Sequence, residues 1–282
     1  MSRLTRVLAL VATIGALALA GAAQGATSLT YAALGDSVAA GYGLGSSRTF
    51  CARAVTRSYP ARVERRLERR HGSVRFVFLA CSGATAGSTS RGPRALATQV
   101  GGALRAIGRR PALVSITIGI NDLEWWNLFR VAQLLRGDRA AYDRWVRTTV
   151  GDVRVELRSQ LRRLLARPRA RVVVTDYFDP VNRGSPLYAI CLDPDRCRAR
   201  VREAVARLNR AIRAAAAGLG PRVRVAAIGR RFAGHEAARP QCGMAPPPVG
   251  ATWIQVDCLH PNDAGAAAIA RAVLVAARRL GL

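Results

Sequence analysis

Leu29-Thr30-Tyr31-Ala32-Ala33-Leu34, followed at once by Gly35-Asp36-Ser37, is the stretch on which the fold turns. Six apolar or β-compatible residues ending at a glycine are too few for a helix and read as a buried strand. Similar runs recur downstream: Val74–Ala80 (VRFVFLA), Ala112–Ile118, Arg171–Thr175 (RVVVT) and Val223–Ala227. Helical patterns lie between them. Pro60 opens ARVERRLERRHG, which Gly72 closes, and Leu96–Ile107 is a second such segment. Leu123–Arg167 reads as mostly helical with a break at Gly137-Asp138, and Arg198–Ala217 runs as a helix to Gly218. Asp263 is the expected cap of a closing helix, Ala264–Leu280. Strands alternating with long helices require crossover connections. The expected fold is therefore α/β, a doubly wound three-layer α/β/α sandwich with a parallel sheet of about five strands.

In such sheets ligands bind beyond the carboxyl ends of the strands. Gly35-Asp36-Ser37 follows the first strand, Ser82-Gly83 the second and Gly119–Asp122 the third, so three polar or glycine-rich turns are predicted to converge on one rim.

With 282 residues, half of them hydrophobic and 22% charged, the chain has enough apolar surface for one large core. Arg3 and Arg6 precede an apolar run from Val7 to Ala20 and then the small-residue stretch Gly21–Ala26. This is the order of a secretory leader, so residues 1–26 are expected to be a signal peptide with cleavage between Ala23 and Ala26. Residues 27–282 are then one domain. No later stretch reaches about 20 apolar residues without an arginine. Six cysteines agree with export. Nearest-neighbour pairing gives Cys51–Cys81, Cys191–Cys197 and Cys242–Cys258, although the count alone leaves other connectivities open. There is no CxxC and the histidines are scattered, which argues against zinc.

The net charge is +27, and all 44 basic residues are arginine. Absence of lysine beside abundant Ala, Arg, Gly and Pro points to a compositional bias in the coding sequence. A surface this positive still attracts anionic surfaces through long-range, salt-sensitive forces. Aromatic residues are only 6% and do not alternate with arginines, so a nucleic-acid platform lacks its stacking component and no specific nucleic-acid partner is expected.

Candidate bases are few: His71, His235 and His260. His71 ends an arginine-rich helix and His235 lies in a loop, where a solvated surface residue is the simpler explanation. His260 stands three residues after Asp257, a spacing that lets one turn place the carboxylate on imidazole Nδ1. A surface turn would use the same residues. Ser37 could be presented at the rim by a strand-to-helix turn, or could merely cap the next helix, and Asp36 could equally be the cap. Gly83 could bring a backbone N–H close to a substrate oxygen, or simply supply positive φ. Asn121 could aim its amide at the same oxygen, or hold a turn. Trp125, Trp126, Leu128 and Phe129 could line an acyl pocket or form core.

Taken in order, Gly35-Asp36-Ser37, Gly83, Gly119-x-Asn121-Asp122 and Asp257-x-x-His260 resemble the SGNH (GDSL-type) hydrolase family, whose four marker residues fall on Ser37, Gly83, Asn121 and His260. The strings ALGDSVAAGYGLG, ACSGATAG, ITIGIND and DCLHPNDAG are most similar to the secreted actinobacterial esterases and lipases of that family. Val38 departs from the leucine of the family pattern. The resemblance covers nearly the whole chain beyond residue 26. It implies a flavodoxin-like α/β/α fold and a secreted, cofactor-free carboxylic ester hydrolase, an esterase or lipase. It further implies Ser37 as nucleophile, His260 as base, Asp257 as the carboxylate that orients it, and an oxyanion hole of the Ser37 N–H, the Gly83 N–H and the Asn121 amide. Disulfides at Cys81 and Cys258 would then pin the loops carrying a hole donor and the base. The expected partner is a small-molecule or lipid ester, met by a monomer. The alternative from another class is a cationic extracellular binding protein for cell-wall, lipid or other polyanionic surfaces. That reading accounts for the arginines and leaves the Ser37–His260 set without a role.

Overall fold

A computed structural model describes residues 29–87, 90–124, 137–179, 193–235, 252–257 and 259–282. The expected signal peptide, Cys191, Cys242, Cys258 and the Trp125–Phe129 segment lie outside the described residues.

Five strands form one sheet: β1 (Leu29–Gly35), β2 (Val74–Phe78), β3 (Ala112–Thr117), β4 (Ala170–Thr175) and β5 (Val223–Ala226). Their order is β2-β1-β3-β4-β5 and every pairing is parallel. β1 and β3 are buried along their whole length, as strands covered on both faces must be. The direction of winding reverses between β1 and β3, and such a switch point opens a crevice at the carboxyl ends of the strands.

The helices are α1 (Ser37–Ala40), α2 (Tyr59–His71), α3 (Leu96–Ile107), α4 (Arg139–Leu165), α5 (Pro194–Ala216), α6 (Ile228–Phe232) and α7 (Asp263–Arg278). α2 packs beside α7 on one face of the sheet, while α3, α4 and α5 pack in series on the other. The result is the expected three-layer sandwich, and none of the described helices is long and apolar enough to cross a membrane.

Two local expectations change, and one open alternative is decided. Asn262, not Asp263, caps α7: its side chain accepts the Gly265 N–H at 3.0 Å, and Asp263 becomes the first helical residue. α5 begins four residues before Arg198, because Asp193 accepts the Arg196 N–H and Pro194 supplies a favourable first helical φ. Cys197 therefore belongs to a helix. At the first strand end the cap is Asp36, which accepts the Val38 N–H at 2.9 Å, so Ser37 is not a capping residue.

Candidate active site

β1 delivers its carboxyl end by a turn that only glycine permits. Gly35 has φ +132°, and a Cβ there would collide with the Thr117 carbonyl oxygen of β3. The buried Gln99 amide clamps this residue from both sides. Its Oε1 accepts the Gly35 N–H at 2.7 Å and its Nε2 donates to the Gly35 carbonyl at 3.1 Å. Asp36 donates its N–H to Thr117 O at 2.9 Å, which fixes the next residue in turn. Ser37 emerges as the first residue of α1, 8% exposed, with its N–H at an uncompensated helix start.

The loop after β2 is held by a Cys51–Cys81 disulfide, one of the expected pairs. Cys197 is also disulfide-bonded. Gly83 takes φ +79°, where an L side chain would be strained. Neither the Ser37 N–H nor the Gly83 N–H meets a backbone acceptor among the described residues. Both are donors without a covering carbonyl, as an oxyanion site needs.

The loop after β3 braces the loop after β2. Asn121 Nδ2 donates to the Ala84 carbonyl at 3.0 Å, which uses one of its two amide hydrogens. Asp122 accepts the Ala86 and Gly87 N–H groups, one on each oxygen, at 2.9 and 2.7 Å. Burial raises the Asp122 carboxyl to about 6 despite those hydrogen bonds.

His260 arrives from the far end of the chain. Its Nε2 lies 2.9 Å from Ser37 Oγ, and its Nδ1 lies 2.6 Å from Asp257 Oδ2. Asp257 Oδ1 accepts the backbone N–H groups of Leu259 and His260, both at 3.0 Å, so the turn that carries the imidazole is built around the same carboxylate. Burial pushes the Asp257 carboxyl up, but the ring and backbone hydrogen bonds and the imidazole charge together hold it below the ordinary carboxylate value. The Tyr42 ring lies 4.8 Å from the imidazole, centroid to centroid. Gln255 donates to Tyr42 O and to Pro261 O, at 2.7 and 2.8 Å, and so ties the serine-bearing and histidine-bearing segments together.

The structure thus brings Ser37, His260 and Asp257 into one hydrogen-bonded line, with Gly83 and Asn121 on the neighbouring loops. It leaves the other histidines apart: His71 closes α2, and His235 stacks on Trp253 with ring centroids 3.8 Å apart. Four supporting residues were missed by sequence reasoning, namely Tyr42, Gln99, Tyr177 and Gln255. Tyr177 donates its hydroxyl to Oδ2 of Asp36, the residue before Ser37. Two of these carried a signal. Gln99 is a lone polar residue on the buried face of LATQVGGALRAI, and Tyr177 follows β4 at the same rim as the other turns. Tyr42 and Gln255 act through backbone carbonyls and ring contact, which leave no residue pattern.

A serine at the end of the first strand, an imidazole on its hydroxyl and a carboxylate on that imidazole are the arrangement of a serine hydrolase, carried on a parallel α/β/α sheet. The chain belongs to the GDSL-like lipase/acylhydrolase family, whose model matches residues 33–268, and is a carboxylic ester hydrolase. It is similar to an extracellular lipase from Streptomyces rimosus at 28% identity, with 88% of this chain and 100% of that chain covered and a TM-score of 0.58. A phospholipase A1 from Streptomyces albidoflavus shares the fold at 22% identity, 87% and 98% coverage and a TM-score of 0.55. A putative arylesterase from Agrobacterium tumefaciens does so at 20% identity, 89% and 99% coverage and a TM-score of 0.52. No curated protein sequence matches the chain.

Proposed function

We propose that the chain is a secreted serine esterase or lipase working through a Ser37 acyl-enzyme. His260 Nε2 accepts the Ser37 proton as Oγ attacks the ester carbonyl, and Asp257 holds the imidazole in the tautomer that can accept it and stabilises the imidazolium that forms. The carbonyl oxygen takes up negative charge in front of the Ser37 N–H, the Gly83 N–H and the second amide hydrogen of Asn121. The imidazolium returns the proton to the departing alcohol oxygen. Water, deprotonated by the same imidazole, then cleaves the acyl-enzyme to acid and free serine. The observation that carries this reading is the continuous relay Asp257–His260–Ser37, with gaps of 2.6 and 2.9 Å.

Export is supported by the leader-like residues 1–26, the Cys51–Cys81 disulfide and the likeness to an extracellular lipase. The test is Ser37→Ala. It is expected to abolish turnover of p-nitrophenyl esters and labelling by a fluorophosphonate probe while leaving the thermal unfolding transition in place. Residual turnover near the wild-type rate in a folded variant would remove Ser37 from the mechanism.

A further inference from the structure

Away from the rim, α2 and α7 lie side by side and leave a groove of about 520 Å³ between them. Its floor is apolar, with Ala267, Ala270 and Leu274 of α7 at helical spacing. Its walls are arginine. α2 supplies Arg62, Arg65, Arg66 and Arg69, which the same spacing puts on one face, and α7 supplies Arg271 and Arg278. Past Arg66, Arg69 and Arg278 the groove continues into a second hollow of about 250 Å³, where Arg70 joins them. No aspartate or glutamate is among the residues lining either part.

Most of these guanidiniums are unmatched. Arg62 binds Asp263 at 2.7 Å and Arg65 donates to the Thr56 carbonyl. Arg66, Arg69, Arg271 and Arg278 are exposed, and their guanidinium groups make no ion pair or hydrogen bond among the described residues. Arg62 is disfavoured as a cation first by burial and then by Arg65, Arg57 and Arg271, so the cluster repels itself. The fold has a device against such repulsion and uses it elsewhere. Between α4 and α5, Asp143 and Glu203 bind both Arg139 and Arg207, at 2.6 to 2.9 Å. Among the described residues that line the α2–α7 groove, Arg62 alone has such a partner, Asp263 at the groove's end.

We propose that the α2–α7 groove binds a linear phosphate polyanion. Guanidinium forks match phosphate oxygens two at a time, and unpartnered arginines on two facing walls call for a ligand with closely repeated charge. Seven helical residues rise about 10 Å, enough for more than one phosphate along each wall. A thread enters a walled groove, whereas a flat bilayer touches only its lips. No aromatic residue lines the groove, so the bases of a nucleic acid would find no aromatic platform to stack on. The groove begins beside Asp263, three residues beyond His260, and runs away from the rim. Binding there would hold an ester hydrolase on an anionic polymer without blocking its site.

The test uses the full chain and linear polyphosphate, titrated by calorimetry at about 0.15 M salt, where exposed charges more than a Debye length apart are largely screened. Combining Arg66→Gln, Arg69→Gln and Arg278→Gln is expected to weaken binding about ten-fold or more and to flatten the salt slope by about 1 per arginine removed. The matched control combines Arg147→Gln, Arg154→Gln and Arg210→Gln in the hollow between α4 and α5. It removes the same charge and is expected to leave affinity within about two-fold of wild type. Both variants should keep wild-type turnover of a p-nitrophenyl ester, which separates this result from any failure of the Ser37 mechanism. Equal weakening in both would overturn the proposal in favour of diffuse charge. So would binding to phosphatidylglycerol vesicles that persists in the groove variant while polyphosphate fails to bind wild type.

Discussion

Two carboxylates flank the Ser37–His260 pair, and they are held in opposite ways. Asp257 stands at the surface end of the relay, its side chain 32% exposed, and receives the imidazole N–H together with two backbone N–H groups. These donors outweigh its desolvation and favour the charged form. Asp36 stands at the inner end, wholly buried, and receives the Val38 N–H and the Tyr177 hydroxyl. There desolvation wins over those hydrogen bonds and over the nearby charge of His260, and the carboxyl is raised to about 7. The hydrogen-bond partners are similar in number, so solvent access and the imidazole contact decide the difference. One carboxylate is kept charged where the proposed mechanism needs an imidazolium stabilised. The other serves the backbone, anchoring the turn that carries Ser37.

The sharpest way to break this division is Asp257→Asn. The amide keeps the shape but favours the wrong imidazole tautomer, and kcat is expected to fall by about 10³-fold or more with little change in Tm. If kcat fell less than about ten-fold, Asp257 would be a bracket for the turn rather than a partner in charge. Asn121→Ala probes the side of Ser37 remote from both carboxylates. A preorganised oxyanion donor is worth about 10²-fold in kcat, so a fall of that order with KM nearly constant is expected for p-nitrophenyl esters. An effect confined to KM or Tm would reduce Asn121 to its bond with Ala84.

Asp257 and Asp36 also mark how far the sequence could be read. The sheet, its parallel sense and its rim followed from β1, β3 and β4, whose apolar runs are punctuated by glycine or a polar turn. The Asp257–His260 turn was equally visible, because one turn contains both residues. The cap at Asp36 was not separable from a cap at Ser37, since both residue types occupy N-caps and only the backbone at Gly35 decides between them. Gln99 and Tyr177 reach Gly35 and Asp36 from 64 and 141 residues away in sequence, so no local pattern links them to the site. The arginines of α2 were read as undifferentiated charge. Their pairing with α7 across a groove exists only once the two helices are packed together.

The inner carboxylate is tested by two smaller effects. Tyr177→Phe leaves Asp36 Oδ2 buried without its donor, which is expected to cost about 1–3 kcal/mol in stability and to leave kcat within about ten-fold of wild type. Asp36→Asn is subtler and depends on pH. The ordinary aspartate value is 3.8 and the folded value about 7, so between these limits the native state binds the proton more tightly than the unfolded chain does. Stability contributed by this group is therefore present at low pH and declines as pH rises toward 7. Asparagine can keep the Val38 contact and carries no charge to desolvate. The Tm of Asp36→Asn relative to wild type should thus rise from pH 5 to pH 8, with the gain largely complete once the pH passes the folded value. Asp257 cannot produce the same trend, because its folded value is lowered and its contribution is lost only as pH falls below the ordinary carboxylate range. A Tm difference independent of pH would mean that Asp36 is already ionised at pH 5. The two carboxylates would then differ in position but not in state.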